Sequence, residues 1–395
     1  MKVIQQKTMN PNAGRQPALR LKRLWLPHLK QQTLQLKSAF SFEARNWCHV
    51  GIISASLFTL LGCFGGNTVK HSIEDYAQRL SRVIDTPLPD TFNNNITTPL
   101  PKLADSTTLK HTVEGVSINL REFYALQDCE LGTVVAERNT SLGKSQLPSQ
   151  RLVYESKLLT VLKSCEAALS EEDETNKNNA ALAATIALWR EQKTQDYTKT
   201  WANLIQGSQE LRLALNTPER LMSVEHNKDA LSSVNALYYI DSLHIQNQTP
   251  IDSSELEQQL QIIRSARLPA TLWHTQQTLT QNLSLLTDML ATELDTVSCP
   301  QGRASDKAEI LRNVFYLFFI EEIQPVGSLV NQYHYKLAPL WEDWLEQPSL
   351  HEEFKRYIRQ QSQDGFDKYT RAMKAHVNLW QDFLGRCNLS PVPPV

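Results

Sequence analysis

Glycine is scarce in this 395-residue chain, at 13 in all. The sequence contains no Gly-x-Gly-x-x-Gly, phosphate-loop, Gly-x-Ser-x-Gly or His-Glu-x-x-His pattern. Those patterns build phosphate cradles, nucleophile turns and zinc helices, so their absence disfavours nucleotide enzymes, conventional hydrolases and zinc proteases. Cys-x-x-Cys is missing too, which argues against a zinc ribbon or a thioredoxin-like centre. Alternating apolar and polar runs are rare, so there is little from which to build sheets. The one apolar leader run, Val50–Gly62, falls short of the roughly 20 residues that span a bilayer. A charge excess of one sign is lacking as well. The 40 Lys and Arg residues face 42 Asp and Glu, a net of -2.

That balance hides a split. Residues 1–62 hold nine basic groups and one acid, Glu43, a net of +8. The other 31 basic and 41 acidic groups leave the body at -10. Such asymmetry marks a basic leader on a different body, one too acidic for a nucleic-acid footprint. Arg45 precedes the uncharged VGIISASLFTLLG of residues 50–62, the pattern of a secretion signal. The run ends in Leu60-Leu61-Gly62-Cys63, which resembles the lipobox of bacterial lipoproteins. The resemblance implies cleavage before Cys63, acylation there, and attachment to a membrane through that lipid. Two or more acyl chains, at about 0.8 kcal/mol per buried CH₂, hold a protein firmly. Phe64 stands where Asp would signal inner-membrane retention, so the expected place is the outer membrane, on its periplasmic face. Residues 1–41 exceed what a lipoprotein leader requires. The expectation is an upstream start, with the true one nearer Phe42, or else a cytoplasmic extension lost on processing.

Besides the anchor residue Cys63, four cysteines follow the leader: Cys129, Cys165, Cys299 and Cys387. An even number in an oxidising compartment suggests bridges, and three pairings are possible. Cys129–Cys165 and Cys299–Cys387 are favoured. Cys129 lies 14 residues before a turn near Gly143, and Cys165 lies 16 residues along the arm that begins at Ser149, so the two arms nearly match. Each member of the second pair follows a long helix.

The fold class expected is all-α, a multi-helix bundle of about ten or more helices with a Pro-rich loop after the first. Residues 1–62 form the leader. Residues 63–104 comprise a tether, a first helix over 72–84 and a loop broken by Pro87, Pro89, Pro99 and Pro101. Residues 105–395 form the helical domain, with helices expected over 117–127, 129–141, 149–169, 179–194, 196–214, 218–244, 253–267, 270–297, 306–324, 326–346, 349–362 and 364–385. Thr217-Pro218 reads as an N-cap and first-turn proline. The stripe Leu272, Leu279, Leu283, Leu286, Leu290, Leu294 and Val297 has bundle spacing. Val314–Ile320 (VFYLFFI) is apolar on all sides and reads as central and buried.

Residues 129–144 read CELGTVVAERNTSLGK, followed by Pro148-Ser149-Gln150-Arg151-Leu152 and Tyr154-Glu155. Near the end stand Asn313-Val314-Phe315, Glu322-Ile323-Gln324-Pro325, His376, Trp380 and Cys387. On these residues the body resembles the bacterial lipoprotein family known as domain of unknown function 3080, over essentially the whole chain after the leader. The resemblance implies a Gram-negative envelope lipoprotein and supplies no activity. Two departures are the long leader and Thr140, where Ser is expected.

Leu131, Val135, Arg138 and Leu142 share one helical face, so Arg138 points toward the core. A buried guanidinium needs a partner, and Glu155 is the candidate. An internal ion pair is one reading. The other is a polar pocket of Glu130, Glu137, Arg138 and Asn139, beside Glu155, for an anionic or glycan ligand. Paired-carboxylate hydrolysis by Glu130 and Glu137 is weaker. Asp241-x-x-His244 has no second copy and reads as structural, so neither a metal site nor a cofactor is expected. Glu321-Glu322 reads as a pair with one member facing solvent, and His376 with Trp380 as helix packing. The function expected is a lipid-anchored binding or scaffold protein with an envelope protein partner. The alternative is a ligand-binding or hydrolytic protein using the pocket around Arg138. Replacing the anchor residue, Cys63→Ala, is expected to abolish palmitate labelling in cells, and label retained by the variant would refute the anchor.

Overall fold

Helix is the only regular structure among the described residues, and no strand occurs there. The computed structural model describes residues 69–393, apart from residue 91 and the stretches 93–96, 114, 116–117, 127–128, 172–176, 226–228 and 246–248. Cys63 and the leader lie outside the described residues. In chain order the helices are α1 (Val69–Ile84), α2 (Leu120–Ala125), α3 (Glu130–Asn139), α4 (Ser141–Lys144), α5 (Pro148–Glu171), α6 (Lys177–Gly207) and α7 (Gln209–Asn216). There follow α8 (Ala230–Ser242), α9 (Ser253–Ala266), α10 (Leu268–Thr296), α11 (Asp306–Val314), α12 (Gln324–Glu346), α13 (Glu352–Arg359) and α14 (Gly365–Arg386). Two π-helical stretches, Phe315–Ile323 and Gln360–Asp364, join α11 to α12 and α13 to α14. This is the all-α bundle that the periodicity implies.

The leucine stripe is buried along its whole length, Leu272 to Val297, and makes α10 the spine of the core. Against it lies α14, offering Trp380, Phe383 and Leu384. The pair α5 and α6 forms a second long antiparallel contact, while α1 packs on the first π-helical stretch. After α1 the chain runs along α6 and α7. Gln206 Nε2 donates to the Leu109 carbonyl at 3.2 Å, and Arg212 to that of Ala104 at 2.7 Å. Leu100, Leu103 and Leu109 are buried in the same core as the helices. No helix among the described residues is long and apolar enough to cross a membrane.

Several boundaries differ from expectation for identifiable reasons. Thr217 closes α7 rather than opening the next helix, its N–H bonded to the Leu213 carbonyl. The expected helix over 218–244 therefore begins only at Ala230, the preceding segment being held on α10 by Met222 N–H donating to Thr275 Oγ1 at 2.8 Å. Residues 177–207 form one helix, because the break falls at Ser208, whose hydroxyl caps α7. Pro325 does not end a helix. It lies two residues past the π-helical stretch Phe315–Ile323, and the helix runs on through it. The VFYLFFI helix is not buried on all sides. The π-helical winding turns Phe315, Phe319 and Ile323 inward and leaves Leu317 42% exposed, while Arg79 covers the Phe318 ring at 4.4 Å.

Both favoured bridges are present. Cys129–Cys165 has a Cα separation of 5.6 Å and Cys299–Cys387 one of 5.2 Å. They close 36 and 88 residues, worth about 4 and about 5 kcal/mol in the chain-entropy model.

His376 is wholly enclosed between α1, α10 and α14. The Thr287 hydroxyl donates to the Leu283 carbonyl at 2.6 Å, so it accepts from His376 Nδ1 at 2.9 Å. Nε2 is then the unprotonated nitrogen, accepting from Tyr76 Oη at 2.9 Å and Trp380 Nε1 at 3.2 Å. Burial pushes this imidazole down to about 3, so it is neutral in the fold. The unfolded chain takes up a proton near pH 6.5, and the folded chain does not until about pH 3. The stabilisation is therefore full above pH 6.5 and declines as the pH falls toward 3, by about 1.4 kcal/mol per unit. Denaturant titrations between pH 6 and 4.5 are expected to show this decline. In the less stable His376→Gln variant the slope is expected to be shallower by one proton's worth.

Candidate anion-binding cavity

The cavity is made by a tight reversal between α3 and α5. Thr140 is extended (φ -70°, ψ 162°) and stops α3. Its hydroxyl donates to the Glu137 carbonyl at 2.8 Å and accepts from Gly143 N–H at 3.0 Å. A Ser hydroxyl could do the same. Gly143 is drawn onto the last carbonyls of α3, where an added Cβ would lie 2.6 Å from the Arg138 oxygen. That is closer than side chains approach backbone, so glycine is required for space. The Gly143 carbonyl in turn accepts from Arg138 Nη1. Arg138 and Lys144 are thereby held on one rim.

Helix α5 supplies the opposite wall. Arg151, Tyr154, Leu158 and Leu162 follow one another at helical spacing along its inner face. Helix α6 adds Trp189 and Lys193. Together with Leu131 and Val135 of α3 these enclose a cavity of about 450 Å³, within the range of small-molecule sites. Its floor is apolar, and Arg138, Lys144, Arg151 and Lys193 all line it.

One carboxylate lies beneath. Glu155 is fully buried, paired with Arg151 and 3.6 Å from Lys193 Nζ. Burial lowers the Arg138 guanidinium from its ordinary range, and the positive charge of Arg151 lowers it further. Two cations thus press on each other across the rim. Tyr154 is pushed up to about 12, first by burial and then by the charge of Glu155, so its phenol stays protonated. The Arg151 guanidinium stacks 5.3 Å from that ring. Its Nη1 is buried and makes no hydrogen bond among the described residues.

Arg138 and Asn139 line the cavity, and Glu155 is buried beneath Arg151 and Lys193. The expected pair between Arg138 and Glu155 is not formed, because Gly143 reaches Arg138 first and Glu155 is taken by Arg151 and Lys193. Glu130 is exposed and 3.6 Å from Lys157, and Glu137 is exposed. Neither lines the cavity. Lys144, Arg151, Tyr154 and Lys193 were missed. The available signals were the i,i+4 spacing of Arg151 and Glu155, and a lysine at position 193 in the core register of Ile186, Tyr197 and Trp201. Elsewhere, Asp241 is buried and accepts from Trp344 Nε1 at 2.9 Å, while His244 Nδ1 bonds the Asp241 carbonyl at 2.6 Å. Both serve packing. Glu321 is exposed and Glu322 half-buried. Among the described residues no group of three or more His, Cys, Asp or Glu could hold a metal ion.

The family model described as Protein of unknown function (DUF3080) matches residues 73–391. No curated protein and no solved structure matches the chain. The reversal itself has a direct test. Gly143→Ala is expected to destabilise by about 2–3 kcal/mol, through overlap with the end of α3, in a denaturant titration; an unchanged midpoint would contradict the close approach.

Proposed function

We propose, for a chain that belongs to the DUF3080 family, a lipid-anchored binding protein of the Gram-negative envelope whose ligand is anionic and enters the cavity beside Arg138. The envelope placement rests on the leader charge, the apolar run and the Leu60-Leu61-Gly62-Cys63 box. One observation carries the ligand class. Arg138, Lys144, Arg151 and Lys193 line one cavity, Glu155 is paired with only Arg151 and Lys193, and no carboxylate is in the lining among the described residues. A cationic cleft in a body of net -10 has a use if an anion completes it. An anion beside Arg138 and Arg151 would relieve their mutual repulsion and satisfy the unpaired Arg151 Nη1. A scaffold role rests on the anchor and helical body alone, so the binding reading is preferred. Glu130 and Glu137 stand outside the lining, and hydrolysis is not proposed.

Lys144 is exposed and can be changed without opening the core. Isothermal titration of the full chain with inorganic pyrophosphate is expected to show saturable binding that weakens with added salt. Lys144→Gln is expected to lower affinity about tenfold, the effect of losing one charge-assisted contact, while Glu130→Gln leaves it unchanged. Equal affinity in the wild type and Lys144→Gln would overturn the reading.

A further inference from the structure

A second cavity of about 670 Å³ adjoins the first and shares Val113, Arg138, Lys144 and Arg151 with it. The two differ in chemistry. The first is floored by Leu131, Val135, Leu158, Leu162 and Trp189. The second is mixed but richer in polar groups: Thr112, Gln146, Thr200 and Asn203 line it, Lys110 and His111 add basic groups, and Leu109 and Pro148 add apolar surface. His111 Nε2 donates to the Ser349 carbonyl at 2.6 Å, and its backbone N–H to Asn203 Oδ1 at 2.7 Å, so this wall is braced from two elements. Gln146 Oε1 is buried there and has no hydrogen-bond partner among the described residues.

The site thus runs from a chamber with an apolar floor, past a cationic partition, to a chamber richer in hydrogen-bonding side chains. Resting on the anion-binding reading above, we infer that the ligand is a single-chain anionic phospholipid. Its acyl chain lies over Leu158, Leu162 and Trp189, its phosphate sits between Arg138, Lys144 and Arg151, and its hydroxylated headgroup meets Gln146. Each part of such a molecule matches one part of the site. The chain is removed from water against apolar side chains, at about 0.8 kcal/mol per CH₂ buried. The phosphate takes the Arg151 Nη1 donor that the protein leaves unpaired. Headgroup hydroxyls supply the donor that the buried Gln146 oxygen lacks. An inorganic anion would leave the apolar floor unused, and an uncharged lipid would leave the partition uncompensated.

Native mass spectrometry of the full chain separates these cases with three probes: lysophosphatidylglycerol, monoacylglycerol of the same chain length, and inorganic phosphate. Lysophosphatidylglycerol is expected to bind at least tenfold more tightly than either of the others. Arg138→Gln is expected to reduce its binding about tenfold and leave that of monoacylglycerol unchanged. Val135→Phe, which fills the apolar chamber, is expected to weaken lysophosphatidylglycerol and spare phosphate. Phosphate binding as tightly as lysophosphatidylglycerol would overturn the phospholipid inference and leave the anion site standing. Equal binding of monoacylglycerol would overturn the phospholipid inference and the anion site together. The comparison of probes on the wild type decides the matter even if Val135→Phe fails to fold.

Discussion

The cavity depends on one buried carboxylate. Glu155 has no exposure to water, and an isolated charge in that position would be prohibitively costly. Arg151, one turn earlier on α5, and Lys193, across on α6, make it tenable. The same contacts tie together the two helices that form the longest antiparallel pair outside the α10 spine. Glu155 therefore sets where Arg151 and Lys193 stand. Arg138 and Lys144 remain in the lining without it, and that remainder is what gives the site its sign.

The rest of the site is organised around that fixed wall. The bridge Cys129–Cys165 holds the start of α3 against α5, and the Thr140 turn folds Gly143 onto the end of α3. Most of the residues that carry the family resemblance over 129–144 thus have a physical task. Leu131 and Val134 are buried, Arg138 grips the Gly143 carbonyl, and Thr140 makes the reversal. The body's net charge of -10 says nothing of this. Local field is set by what lines a cleft, and here a strongly acidic body carries a basic one.

How much of this was legible depends on the kind of information required. Helix content followed from periodicity, and the α10 stripe is buried residue for residue. The bridges followed from where the cysteines fall relative to helix ends and turns. The local breaks were harder. Thr217-Pro218 has the chemistry of a helix start, yet Thr217 is the cap of the helix before it. Pro325 is tolerated because a π-helical stretch ends beside it. At the site, the helical face of Arg138 was readable but its partner was not. A wheel gives direction and not reach, and the carbonyl of Gly143 arrives by a chain reversal that no periodicity encodes. Lys193 was hidden for a related reason. A cation in a core register looks like an error until its buried partner, 38 residues earlier, is known.

The central claim is that an anion belongs between Arg138 and Arg151. Nitrogen NMR of the arginine side chains, with the full chain titrated by inorganic pyrophosphate, reads that position directly. The account predicts that the guanidinium resonances of Arg138 and Arg151 shift and saturate together, at a common midpoint, while those of Arg190 and Arg312 stay put. Unmoved Arg138 and Arg151 signals, or a uniform drift of all arginines, would contradict it.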